Sequence, residues 1–218
     1  MVDASPLWVS LRAVSLSTVV VFFLGLLLAR ATMDMKGRKA FLIDMICTLP
    51  MVLPPTVTGF FLLVVFGRNS LFGRLLKNIG VSMIFSWQAT VLAVSVVSFP
   101  LMYRGAKGAL KQVPKEHVWV ARTLGMKEGR ILWRIMMPEA WPGVGAGLAL
   151  AFARALGEFG ATMMIAGNIP GKTQTIPMAI YFATAGGDMR SAWIWVGIIT
   201  VLSCVALACM EYAGRKNE

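Results

Sequence analysis

Charge is scarce in this sequence. Only 14% of its 218 residues are Asp, Glu, Lys or Arg, and just 10 of these are acidic. Soluble domains carry roughly a quarter of such residues, so water is excluded as the main solvent for most of the chain. Histidine occurs once, as His117, and the cysteines Cys47, Cys204 and Cys209 lie in apolar stretches without a Cys-x-x-Cys pair. A disulfide framework or metal site lacks the spacing it needs. No Ser/His/Asp or paired-carboxylate arrangement occurs either, and His117 reads as a solvated residue on the polar face of a basic helix. No catalytic residue and no bound metal are expected. A basic n-region is also missing from Met1–Trp8, and the apolar run that follows is too long for a signal-peptide core, so it is expected to be a retained span.

Hydrophobic residues, by contrast, make up 57% of the chain, and its mean hydropathy is +0.72. A membrane-spanning helix needs roughly 20 mainly apolar residues, and five runs meet this: Trp8–Ala29, Phe41–Phe66, Trp87–Tyr103, Trp141–Ala166 and Ala192–Met210. The expected fold is all-α, a polytopic membrane protein of five transmembrane helices in which residues 1–218 form one domain. Ser10, Ser15, Ser17 and Thr18 in the first span suit helix-packing roles. Pro100 is expected to end the third, with Tyr103 and Arg104 as boundary anchors.

A net charge of +11 raises the question of nucleic acid, and the distribution of the cations answers it. Arg30, Lys36, Arg38 and Lys39 lie between spans one and two. Arg104, Lys107, Lys111, Lys115, Arg122, Lys127, Arg130 and Arg134 lie between three and four, and Arg215 and Lys216 follow span five. The opposite side holds only Arg68, Arg74, Lys77, Lys172 and Arg190. The positive-inside rule puts the richer side in the cytoplasm, with the N-terminus outside and the C-terminus cytoplasmic. Topology accounts for the charge, and nucleic acid is not needed.

Within the spans, Pro50, Pro54 and Pro55 remove backbone donors and must kink or unwind the second helix. Such a break is tolerated where it is buried in protein or lines an aqueous path. Pro50, Pro54, Pro55, Thr56 and Thr58 are therefore either a packed kink or part of a translocation gate. Asp44, nearby, needs no more than a snorkelling or helix-start role. Arg154 and Glu158 stand at i,i+4 in the fourth span, where two isolated charges would be costly; they neutralise each other, or Arg154 presents a positive field to an anion in the pore. Outside, Gly67–Ser86 holds a short amphipathic piece, Leu71–Ile79. The external segment Ala166–Thr173 ends in Gly-Lys-Thr, but Gly167 and Gly171 enclose three residues where a phosphate-binding loop needs four. It reads as a rigid turn that caps a pore or meets an external partner through Asn168, Pro170, Gly171 and Lys172.

The one long polar interval that is still patterned runs from Lys115 to Pro138. Val118, Ala121 and Leu124, then Ile131, Leu132 and Ile135, recur at helical spacing among Lys and Arg, predicting two short amphipathic helices. Gly125 sits where the first should end. Held between two spans, this interval is a docking surface.

Arg122-Thr123-Leu124-Gly125, nine residues, then Ile135-Met136-Met137-Pro138 resembles the cytoplasmic EAA loop of permease subunits in binding-protein-dependent ABC importers. Trp119, Val120 and Ala121 occupy the three leading positions, so the family's glutamate is replaced by Trp119, and Met137 stands for its leucine. Leu49–Gly59 and Ala153–Thr162, with Gly167–Pro177, resemble the molybdate permeases, sulfate permeases being nearest kin. The likeness runs from about Trp8 to Tyr212. It implies a type I importer permease fold in the inner membrane of a prokaryote, with residues 115–138 as coupling helices. It also implies a second copy of the chain, two ABC ATPase subunits that use ATP and Mg, and a periplasmic or lipid-anchored oxyanion-binding protein, all amid membrane lipid; the chain itself would bind no cofactor. The coupling residues it suggests are Val120, Ala121, Arg122, Leu124, Gly125 and Lys127. The substrate would be molybdate, with tungstate or sulfate and thiosulfate as alternatives. A secondary transporter or channel would need no docking loop, and a membrane enzyme would gather polar residues at one depth.

Overall fold

The structure, a computed structural model, describes residues 3–78, 80 and 82–215, with side chains to residue 208. Ile79, Lys216 and the side chains of Cys209, Met210, Tyr212 and Arg215 lie outside the described residues. All regular structure among them is helical: α1 (Ser5–Thr32), α2 (Gly37–Val52), α3 (Pro55–Phe66), α4 (Leu71–Asn78), α5 (Trp87–Gln112), α6 (Lys115–Thr123), α7 (Glu128–Ile131), α8 (Met137–Leu156), α9 (Gly160–Ala166), α10 (Ile176–Ala185) and α11 (Met189–Arg215). A π-helical turn, Leu132–Met136, joins α7 to α8.

Three helices, α1, α5 and α11, are each long and apolar enough to cross a membrane, and five crossings result when the bent pairs α2–α3 and α8–α9 each count as one. The second span is therefore no kinked rod. Its chain turns by 115° at Leu53–Pro54. Proline at 54 and 55 removes two donors, and a residue before proline is pushed out of the helical region; Leu53 and Pro54 accordingly have ψ of 142° and 137°. The fourth span likewise breaks after Leu156 and resumes at Gly160 with a 58° bend.

The third span runs nine residues beyond Tyr103, carrying Pro100 in its interior. Tyr103 is fully buried and its hydroxyl bonds Asp44 and Lys107 within the chain, so it does not anchor at the boundary as an exposed residue would. The second helix of the polar interval is not separate either: α7 passes through the π turn into α8. Pro138 explains the π turn. It offers no N–H to Arg134, and a wider turn, closed by Met137 N–H to the Leu132 carbonyl, carries the chain past the missing bond. One further helix, α10, was not anticipated; Pro177 in its first turn starts it.

The centre of the fold is α5, packed against α1 on one side and α8 on the other. Leu26, Met102, Leu110, Ile131, Met136 and Val144 fill this core. Backbones approach closely where side chains are absent, as is usual for helices associating in lipid. A Cβ on Gly105 would lie 2.6 Å from Gly147 Cα. We expect Gly105→Val to force α5 and α8 apart at a cost of about 1–3 kcal/mol, read as a lower midpoint in thermal unfolding of the detergent-solubilised protein. Gly145→Ala, where a Cβ meets nothing within 4 Å, is the neutral control; equal midpoints for the two variants would refute the close-packing account.

The first-span hydroxyls divide. Ser10 Oγ accepts from Ile176 N (2.8 Å) and Ser17 Oγ from Ser95 (3.0 Å), tying α1 to α10 and α5, and Thr18 bonds back to Val14 O (2.7 Å). Ser15 is exposed on the single chain.

Candidate coupling surface and gate

Helix α6 ends in a Schellman motif. Met126 N–H bonds to Ala121 O (3.1 Å), Gly125 N–H to Arg122 O (3.0 Å), and Gly125 takes φ +74°. A Cβ on Gly125 would meet nothing within 4 Å, so this turn protrudes into open space. Around it Trp119, Val120 and Leu124 are 56%, 58% and 75% exposed, a compact apolar patch on an otherwise polar surface. Lys127 is exposed beside it.

Two residues grouped with this patch do something else. Ala121 is buried and faces the chain's own core with Val118 and Met126. Its spacing does match a buried face, but Leu124, one turn on, belongs to the Schellman turn and points outward. Arg122 is engaged within the chain: its Nε and Nη2 donate to Glu128 (2.7 and 3.3 Å). Glu128 also accepts from Arg30 Nη2 at 2.5 Å, tying this turn to the end of α1. Trp119, in the position of the family's glutamate, matches no motif letter, yet its exposure near Leu124 makes it part of this patch. His117 is exposed, in line with the solvated reading, and its Nδ1 lies 2.8 Å from Glu139 Oε1 at the start of α8.

The Arg122 hydrogen bond holds the Glu128 carboxyl below its ordinary value of 4.5. A depressed carboxylate stabilises the fold above the unfolded value and loses that contribution as pH falls through the folded one. We expect Glu128→Gln to speed hydrogen exchange at the Arg130 and Ile131 amides at neutral pH, and wild type to approach the variant when acidified below 4.5. Identical exchange at neutral pH would show that the tie holds nothing.

At the other end of α8 the two helix breaks meet. A Cβ on Gly160 would lie 3.1 Å from Pro55 Cβ and 3.3 Å from Thr56 N, and one on Gly59 would lie 2.7 Å from Ala161 Cα. Pro55 and Thr56 are thus brought against the interruption that holds Glu158, with Pro54 and Thr58 adjacent in the chain and Pro50 one turn back on α2. Glu158 is buried (1% exposed), and its Oε1 accepts from Ala161 N (2.7 Å), capping α9. Oε2 lies 2.9 Å from Arg154 Nη2, close enough for an ion pair but without an aligned hydrogen bond. Arg154 is one-third exposed. The Thr58 hydroxyl is buried and has no partner among the described residues.

Beyond α9 the turn is closed by its own hydrogen bonds. Thr173 Oγ1 accepts from Ile169 N (2.9 Å) and donates to Gly167 O (2.8 Å), and Gly167 and Gly171 take φ +65° and +73°. Pro170, Gly171 and Lys172 are exposed at its tip, while Asn168 is half-buried. Among the described residues no group of His, Cys, Asp and Glu could hold a metal ion.

A family model described as "Binding-protein-dependent transport system inner membrane component" matches residues 21–215. The putative molybdenum transport system permease protein YvgM of Bacillus subtilis (strain 168) is 41% identical over 208 residues, 93% of this chain and 90% of its own. The molybdenum transport system permease protein ModB of Escherichia coli (strain K12) is 42% identical over 213 residues, covering 96% and 91%. The probable sulfate transport system permease protein cysT of Chlorokybus atmophyticus reaches 29% over 222 residues, covering 100% and 78%. A structure of the MetNI methionine ABC transporter in an inward-facing conformation superposes with a TM-score of 0.78 at 15% identity, covering 100% of this chain and 96% of that one; at that identity it shows the fold.

Proposed function

This chain belongs to the family of binding-protein-dependent transport system inner-membrane components, and on that premise we propose that it is the molybdate permease of an ATP-driven importer. It is a multi-pass inner-membrane protein of a prokaryote and the permease subunit of an ABC importer. The observation that carries the substrate is the agreement, above 40% over nine-tenths of both chains, with permeases named for molybdenum, against 29% for the one named for sulfate.

In this reading two copies pair around one path. Much of the apolar surface of α2, α3 and α11 is exposed, including Phe41, Val52, Phe61 and Trp193, and calls for lipid or a second copy. Two ATPase subunits dock on Trp119, Val120, Leu124 and Gly125, with Lys127 at the rim. ATP and Mg act in those subunits. A binding protein delivers the oxyanion to the outer face at Asn168, Pro170, Gly171 and Lys172. The N-terminus lies outside and the C-terminus in the cytoplasm.

Residues 115–138 are the coupling element of a single permease domain. Movement imposed on the Gly125 turn passes inward through Ala121 and the Glu128 tie. From Glu128 the helix runs through the π turn to Leu156, roughly 40 Å at 1.5 Å per residue, and ends at the break where Glu158 and Gly160 meet Pro55 and Thr56. A rigid element with a docking turn at one end and a broken helix at the other can convert ATPase closure into opening of the gate.

Purification tests the reading: the permease should carry a separate ATPase with it, and the cognate binding protein should retain molybdate in preference to sulfate. Substrate flux driven by an ion gradient, with no ATPase bound, would overturn it. Asp3→Cys should react with an impermeant thiol reagent in whole cells; labelling only after lysis would reverse the topology.

A further inference from the structure

A cleft of about 430 Å³ opens where α2 leans on the C-terminal part of α5. Its inner wall is a closed polar network. Lys107, nearly buried, has Nζ 2.5 Å from Asp44 Oδ1 and 3.1 Å from the Tyr103 hydroxyl. That hydroxyl also bonds Asp44 and lies 2.8 Å from Thr32 Oγ1. Lys107 thereby cancels Asp44, the one carboxylate of the lining, and leaves Arg104 and Lys111 as excess charge. Both are exposed, stand at i,i+7 on one helix face and form no ion pair among the described residues. Gly108 between them opens the floor, since a Cβ there would meet nothing within 4 Å. The outer wall is apolar: Phe41 is 67% and Met45 46% exposed, continuing into Ile46 and Leu49 along α2.

We infer that this cleft binds the headgroup of an anionic phospholipid. Arg104 and Lys111 hold its phosphate, and an acyl chain lies along Phe41, Met45 and Ile46. Basic recesses between membrane helices suit such headgroups. A bare tetrahedral oxyanion would leave most of this volume empty and has no use for the apolar wall. The inference rests on the proposed topology only for the leaflet, the cytoplasmic one, that supplies the lipid. Bound lipid would pin α2, whose only buried residue is Ala40, to the core next to the proposed gate.

The test is native mass spectrometry of the full-length permease, exchanged into mixed micelles with equal phosphatidylglycerol and phosphatidylcholine. Phosphatidylglycerol should be retained about tenfold over phosphatidylcholine, the two cations each adding to the attraction. The preference should vanish in Arg104→Gln/Lys111→Gln and persist in Arg68→Gln/Arg74→Gln. If the double variant does not fold, each single variant should still lose part of the preference. An unchanged preference in the variants overturns the inference, and so does displacement of the lipid by millimolar molybdate or inorganic phosphate, which would assign the cleft to a free oxyanion. The readout needs no transport, so parallel uptake assays separate a failure here from a failure of the permease reading.

Discussion

Arg154→Ala should cost the permease far more folded protein than Glu158→Ala, and adding Glu158→Ala to it should restore part of the loss. The two partners are not equally buried: Glu158 is 1% exposed and Arg154 33%. Removing the arginine strands a carboxylate inside the bundle, a change that costs about 3–5 kcal/mol in buried pairs. Removing the glutamate instead leaves a cation that the chain covers only in part, and forfeits the bond to Ala161 N that caps α9, about 1 kcal/mol. The double variant loses the cap but strands no charge, so its yield should match Glu158→Ala. The measurement is the monodisperse fraction after solubilisation, with uptake assayed on whatever folds. A double variant that folds but does not transport would add a role for Arg154 in the anion's path; single variants that both fold and transport normally would dismiss the pair.

Gly125→Asp should leave the permease folded and abolish uptake. Nothing in the chain lies within 4 Å of the added Cβ, and Asp tolerates a left-handed backbone better than most residues, so φ +74° costs little in the isolated subunit. The penalty falls on the complex, where a side chain and a negative charge stand at the tip of the proposed docking turn. ATPase retention on the purified variant should fall, or ATP hydrolysis should continue without uptake. Normal uptake with normal retention would remove this turn from the coupling path.

How much of this was legible beforehand follows from which signals are local. Gly125 as a helix end could be read because one glycine in a patterned segment suffices to predict a left-handed cap, and the Arg154–Glu158 spacing because i,i+4 is a property of a single helix. Prolines announced the break in the second span, but its 115° turn depends on how α3 lies against α9, which no local pattern records. Ala121 and Leu124 share a spacing yet differ in exposure because Ala121 lies over the core while Leu124 is the C-cap, just before Gly125 turns the chain away. Asp44 looked like an isolated boundary residue because its partners, Tyr103 and Lys107, are some sixty positions away. Trp119 departs from the family's glutamate and so carries no motif signal; its exposure beside Val120 is displayed only by the folded chain.

Uptake of labelled molybdate into vesicles rebuilt from the permease, its ATPase and its binding protein tests the account most directly. Molybdate should accumulate only with ATP on the ATPase side and binding protein on the other, and accumulation should disappear in vesicles carrying Gly125→Asp. Accumulation that proceeds without ATP, or that Gly125→Asp leaves intact, would contradict it.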